Sequence, residues 1–137
     1  MWSKRQEVDY ALQRRSTLQA LKRPQRSLES LDVCDADPVL VRSAKYHGER
    51  SDVPCPICRA DHLANLNYVF GDQLGQYSGR IKSTAELGEM ENEYGQFTVR
   101  VVEVCVGCGW NHMIMTYLLG DGVTRRPPRR QQTVEDI

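Results

Sequence analysis

What this sequence lacks narrows it before anything else does. It contains no run of about 18 apolar residues, the length a membrane-spanning helix requires, so no span is expected. No apolar stretch follows the opening Met1-Trp2-Ser3-Lys4-Arg5-Gln6-Glu7, so no secretory signal is expected and the cytoplasm is the expected compartment. In that compartment paired cysteines point to metal or redox chemistry in place of disulfides. Net charge is absent, with 18 basic and 18 acidic residues, whereas a bulk nucleic-acid binder is basic overall. Aromatic residues are only 7% of the chain, which predicts a thin core. There is no P-loop, no dinucleotide fingerprint and no Ser-His-Asp spacing.

What the chain does have is cysteine in pairs. Cys55-Pro56-Ile57-Cys58 and Cys105-Val106-Gly107-Cys108 are two C-x-x-C segments separated by 46 residues. Each pair can place two thiolates on one tight turn, where they span one edge of a tetrahedron. Two such turns close the tetrahedron, the geometry zinc prefers with sulfur ligands. One structural zinc held by Cys55, Cys58, Cys105 and Cys108 is therefore expected. Four thiolates would leave no open coordination position, so the metal is not expected to catalyse. Pro56 presets a backbone angle in the first turn, and Gly107 and Gly109 are expected to give the second turn positive φ and aim amide hydrogens at sulfur. Arg59 stands where a glycine is often found and could offset the negative charge of the thiolates. His62 and His112 each follow a pair by four residues but are surplus to a saturated ion. Cys34 is expected to be a small buried residue and not a reactive thiol.

The rest of the chain frames those pairs. Gln6 to Leu21 reads as an amphipathic helix with Val8, Ala11, Leu12, Leu18 and Leu21 near one stripe, ended by Pro24. It either packs on its own domain or docks on a partner. Gln25 to Asp32 reads as a linker. A second helix is well punctuated: Asp37 as N-cap, Pro38 in the first position, Gly48 after the last turn. Strands are expected at Leu63–Phe70, Gln96–Val104 and Asn111–Leu119. Between them, Gln73 to Gly95 is a polar insertion with a capping box at Ser83 and Glu86. Thr124 to Ile137 holds Arg-Arg-Pro-Pro-Arg-Arg and is expected to be disordered.

Two enzyme patterns are present in letters only. His47-Gly48-Glu49 followed by Pro54-Cys55-Pro56-Ile57-Cys58 matches the zinc deaminase pattern. Only Arg50 to Val53 separates the two halves, Pro56 and the following strand suit a metal-binding turn better than a helix start, and the pattern leaves Cys105 and Cys108 unused. A thioredoxin-like use of one pair would need a βαβ setting that neither pair shows. No enzymatic activity is expected.

Several stretches resemble a known family: Val8-Asp9-Tyr10-Ala11-Leu12-Gln13-Arg14-Arg15, Val33-Cys34-Asp35-Ala36-Asp37-Pro38, Ala44-Lys45-Tyr46-His47-Gly48-Glu49, Cys55-Pro56-Ile57-Cys58-Arg59 and Cys108-Gly109-Trp110-Asn111-His112. Over about Val8 to Leu119 the chain resembles an uncharacterised actinobacterial family classed as a domain of unknown function. The resemblance implies a cytosolic zinc protein and no activity. It also implies that Tyr10, Arg14, Arg15 and Trp110 belong to family motifs.

The expected fold is α+β: a small antiparallel zinc-ribbon sheet of three or four strands, preceded by two helices and followed by a disordered tail. The expected organisation is a basic helix and linker over 1–32, a ribbon domain over 33–122 with its insertion at 73–95, and an Arg/Pro tail over 123–137. The expected role is a non-enzymatic adaptor that contacts a protein complex such as RNA polymerase or the ribosome, with no small-molecule substrate. Arg14, Arg15, Lys22, Arg59 and Trp110 are the candidate contact residues. The alternative is direct RNA or DNA binding through the basic ends, including Lys22, Arg23 and Arg26, with Tyr or Trp stacking.

Overall fold

The computed structural model describes residues 1–21 and 33–123. The expected linker, Lys22 and the Arg/Pro tail from residue 124 onward lie outside the described residues. The elements run in the order β1 (Arg5–Asp9), α1 (Ala11–Leu21), α2 (Pro38–His47), β2 (Glu49–Pro54), β3 (His62–Phe70), a 3-10 segment (Asp72–Tyr77), α3 (Thr84–Met90), β4 (Phe97–Val104) and β5 (Asn111–Leu119). The strands form one antiparallel sheet in the order β1-β5-β4-β3-β2. The fold is α+β, as the residue pattern predicts, with five strands where three or four were expected.

The two additional strands explain their own invisibility. In β1 every residue but the half-buried Arg5 is exposed, and β2 buries none of its residues. Both lie at the edges of the sheet, so neither carries the apolar alternation by which a strand is recognised. β1 also corrects the expected helix start. Asp9 Oδ1 accepts from the Ala11 amide at 2.7 Å and Tyr10 carbonyl accepts from the Arg14 amide, so the helix begins only at Ala11. β2 pairs with β3 through Glu49 with Asn65 and Arg50 with Ala64, then loses register before Pro54 meets His62.

The remaining elements follow the sequence signals closely. Asp37 caps α2 by accepting from the Val39 amide at 2.8 Å, Pro38 takes the first turn, and the Gly48 amide closes on the Ala44 carbonyl. Ser83 and Glu86 make a reciprocal capping box at 3.1 and 2.9 Å. The Ser83 amide on its carboxylate holds Glu86 below the ordinary carboxylate pKa.

The chain divides into two compact units. The first comprises Met1–Val8, Asn67–Arg100 and the described part of Thr116–Ile137. Its core takes Leu74, Leu87, Met90 and Tyr94 from the predicted insertion, together with Phe97, Val99 and Leu119. Tyr94 meets Phe97 edge-on at 6.1 Å. Segment 73–95 is therefore a structural part of this unit, because its few apolar residues are spaced to face inward. The N-terminus is tied in here by Ser3, whose amide and hydroxyl donate to the buried Glu91 and whose oxygen accepts from the Gly120 amide.

The second unit comprises Asp9–Leu66 and Val101–Met115. Its centre is the cluster of Cys55, Leu63, Cys105 and Trp110, against which Leu18, Val33, Cys34, Ile57 and Cys108 pack. Helix α1 buries no residue fully, and Leu12 is 74% exposed. Of the two readings of this stripe, packing on its own domain holds only in part: Leu18 packs inward, and Arg14 joins it. Arg14 Nε donates to Oε2 of the buried Glu103 at 2.7 Å, and the indole Nε1 of Trp110 donates to the same oxygen at 2.8 Å. One carboxylate oxygen thereby fixes both the helix and the indole. Glu103→Ala leaves two donors without an acceptor and should cost about 2–3 kcal/mol in a urea titration, with Arg14 still partly solvated. Glu103→Gln, which keeps an oxygen for Trp110, should lose less.

Candidate metal centre

Each cysteine pair occupies a reversal between neighbouring strands. Cys55 and Cys58 lie between β2 and β3; Cys105 and Cys108 lie between β4 and β5. The two reversals share a hydrogen-bond plan. The Cys55 amide donates to the Asp61 carbonyl and the Cys105 amide to the Trp110 carbonyl, both at 2.8 Å. The Arg59 amide returns to the Cys55 carbonyl at 3.1 Å and the Gly109 amide to the Cys105 carbonyl at 2.9 Å. Amides of Ile57 and Cys108 point at the sulfurs of Cys55 and Cys105, each at 3.4 Å. The Cys108 contact is the aim of an amide hydrogen at sulfur expected for the second turn, and the first turn makes the same contact.

The four sulfurs lie within 4.8 Å of one another, and this is the group suited to a metal ion among the described residues. The sulfurs of Cys55 and Cys108 are 3.6 Å apart and those of Cys58 and Cys105 are 3.7 Å apart. A tetrahedron with metal–sulfur bonds of about 2.3 Å has edges of about 3.8 Å. The donor set therefore fits a tetrahedral ion. Cys55 and Cys105 are buried, Cys108 is half-buried and Cys58 is exposed.

Without metal the thiols are unequal. The Ala60 amide draws the Cys58 pKa down to about 7 from an ordinary 9.0. Burial pushes both Cys105 and Cys108 up. Metal must displace protons from the latter two, so loading should release protons and apparent affinity should fall as pH is lowered. A competition titration with a chelator at several pH values measures that slope.

Backbone at the fifth position of each turn sharpens a contrast visible in the residues. Gly109 has φ +91 and Arg59 has φ +56. Gly109 is also hemmed in: a Cβ there would lie 3.0 Å from the Cys34 carbonyl. Gly107 was expected to share the positive φ, and it does not. Its missing Cβ instead leaves room for Asp61, whose carboxylate would be 3.2 Å away. An arginine in the left-handed region costs about 1–2 kcal/mol, partly offset by glycine's larger unfolded-state entropy. Arg59→Gly should therefore stabilise the loaded protein by about 0.5–1 kcal/mol, read as a higher thermal midpoint. A lower midpoint would mean that the guanidinium charge contributes more than the strained backbone costs.

The other candidate residues distribute unevenly. Arg15 and Arg59 are exposed. Arg14 turns inward to Glu103, and Trp110 is 1% exposed, so the indole is not a contact surface. Its burial follows from its place directly after the second turn, where it packs in one cluster with Cys55, Leu63 and Cys105. His112 stacks on Trp110 at 5.8 Å and its Nδ1 lies 2.7 Å from the Met113 carbonyl. His47 ends α2 and Glu49 begins β2; neither joins the sulfur cluster.

Cys34 departs from expectation. It is half-buried, and its sulfur lies 3.4 Å from that of Cys108. Its segment is fastened to the second turn by the Ala36 amide on the Gly109 carbonyl at 3.0 Å and by Asn111 Nδ2 on Asp35 Oδ1 at 3.0 Å. Nothing in the spacing of a single cysteine 21 residues before a pair signals this contact.

Fold and site together define a small α+β protein with a four-cysteine cluster able to hold a metal ion. The chain belongs to the DUF5318 family, a family of unknown function whose profile matches residues 1–133. It is 43% identical over 122 residues to uncharacterized proteins of Mycobacterium tuberculosis and Mycobacterium bovis, covering 89% of this chain and 88% of each relative. No solved structure matches it. Among the described residues no helix is long and apolar enough to cross a membrane.

Proposed function

We propose that this protein is a non-enzymatic binding protein whose second unit is a zinc ribbon organised by one structural zinc ion. The observation that carries the zinc reading is the cluster of four cysteine sulfurs on two strand reversals, with edges of 3.6 and 3.7 Å. Four thiolates saturate a tetrahedral ion and leave no position for a substrate, which argues for structure over catalysis. Iron also accepts four thiolates, so metal identity is part of the test. Native protein should contain about one zinc per chain by elemental analysis and be colourless; visible thiolate-to-metal absorption would assign iron. Cys105→Ser should lose the metal together with the cooperative unfolding transition. A fully folded, metal-free Cys105→Ser chain would overturn the reading.

The partner class we propose is a protein complex of the transcription or translation machinery. The support is an analogy from fold to function: rigid cysteine turns of this kind often present side chains to protein or RNA there. Arg59 projects from the first turn and Arg15 from α1, both exposed. Beside the same turn, Lys45, Arg50 and His62 line a shallow cleft of about 200 Å³ that also includes Asp61. Trp110 and Arg14 drop out of the contact set because each is engaged within its own unit. Affinity purification from the native host, with and without nuclease, tests the proposal. Polymerase or ribosomal proteins should survive nuclease and weaken with Arg15→Glu and Arg59→Glu. Loss of every partner on nuclease treatment, with steep weakening as salt rises, would instead favour direct nucleic-acid binding.

A further inference from the structure

Five cysteines converge where a tetrahedral ion needs four. The fifth, Cys34, is not a member of the tetrahedral group, yet its sulfur is closer to Cys108 than Cys108 is to Cys55: 3.4 Å against 3.6 Å. This closeness is held from outside the thiols. The Ala36 amide bonds to the Gly109 carbonyl, Asp35 accepts from Asn111, and the Cys34 carbonyl sits against Gly109, where a Cβ would leave only 3.0 Å. The segment carrying Cys34 is thus fastened to the very turn that carries Cys108. A disulfide needs the sulfurs at about 2.05 Å, a closure of a little over 1 Å from their present separation. Both residues are half-buried and neither is sealed in the core, which suits an oxidant as small as hydrogen peroxide.

We propose that Cys34 and Cys108 are a peroxide-sensitive disulfide site that withdraws one ligand from the metal. The inference rests on the metal reading above. With the ion bound, four sulfurs are committed to it and Cys34 is the free thiol in contact with one of them, that of Cys108. Cys34 sulfur attacks one peroxide oxygen, the O–O bond breaks, and water leaves with the thiol proton, giving a sulfenic acid at Cys34. Cys108 sulfur then leaves the metal and attacks the Cys34 sulfur. The S–S bond forms, the S–O bond breaks, and hydroxide departs, taking up a proton as water. Two cysteines lose two electrons in total, peroxide gains them, and the zinc ion keeps its charge. Cys55, Cys58 and Cys105 remain, one ligand short of a closed site, and the ion is released. A dithiol reductant returns both electrons and restores the fourth ligand.

The test uses the full chain loaded with zinc. Zinc content before oxidation reports on the metal reading alone, and the disulfide map after oxidation reports on this inference alone. On adding hydrogen peroxide, a chromogenic chelator should record about one zinc released per chain, in step with a Cys34–Cys108 cross-linked peptide in a non-reducing digest. Dithiothreitol with added zinc should reverse both. Cys34→Ser should keep its zinc and release it at least about tenfold more slowly, with Cys34→Ala as a second variant lacking any hydrogen-bonding group. Three results would overturn the proposal: a cross-link confined to the four ligands, equal release rates in wild type and Cys34→Ser, or loss of zinc from Cys34→Ser before any oxidant is added, which would make Cys34 a ligand.

Discussion

The contact on which the second unit depends is the meeting of two cysteine turns that are 46 residues apart in the chain. Closing so long an interval costs conformational entropy, and the buried cluster at the turns themselves is small: Leu63 and Trp110 with Cys55 and Cys105. Four sulfurs gathered at that point give a metal ion a place to supply the missing cohesion, as bound metals do in other small domains. The neighbouring features serve the same point. Gly109 lets the second turn reverse and lets the segment of Cys34 lie against it. Trp110 packs in one buried cluster with Cys55 and Cys105, and Glu103 holds Trp110 in place while tying α1 to the sheet through Arg14.

The first unit is stabilised in a different way. Its segment 73–95 contributes Leu74, Leu87, Met90 and Tyr94 to an ordinary apolar core, and the capping box at Ser83 starts the short helix that presents two of them. The buried Glu91 receives both Ser3 groups, so the first residues of the chain are part of the structure. Here burial and hydrogen bonding suffice, and no metal-binding group occurs among its described residues.

Legibility varied with the range of the interaction behind each feature. Local chemistry could be read from residues alone: Asp37, Pro38 and Gly48 around α2, the Ser83–Glu86 box, and the alternation that marks β3, β4 and β5. The two cysteine pairs were readable for the same reason, since a C-x-x-C spacing nearly dictates a turn with two sulfurs on one side. β1 and β2 were not readable, because edge strands of charged and polar residues exist only by pairing with a neighbour. Arg14 and Trp110 looked like contact residues because a cation on a helix and an indole beside a turn suit recognition. Their inward roles depend on Glu103, which lies 89 and 7 residues away and gives no sign of its burial beyond its place in a strand.

By itself, then, the sequence determined the α+β class, the capped helices, the three apolar strands and the identity of the four cysteines that gather into one cluster. Each follows from residues close together in the chain, whose preferences need no partner. The tertiary structure alone decided which strands form the edges, that segment 73–95 is core, that Arg14 and Trp110 share one carboxylate, and that Cys34 touches Cys108. These facts arise from contacts between distant segments, where a side chain's meaning is set by what the fold brings against it.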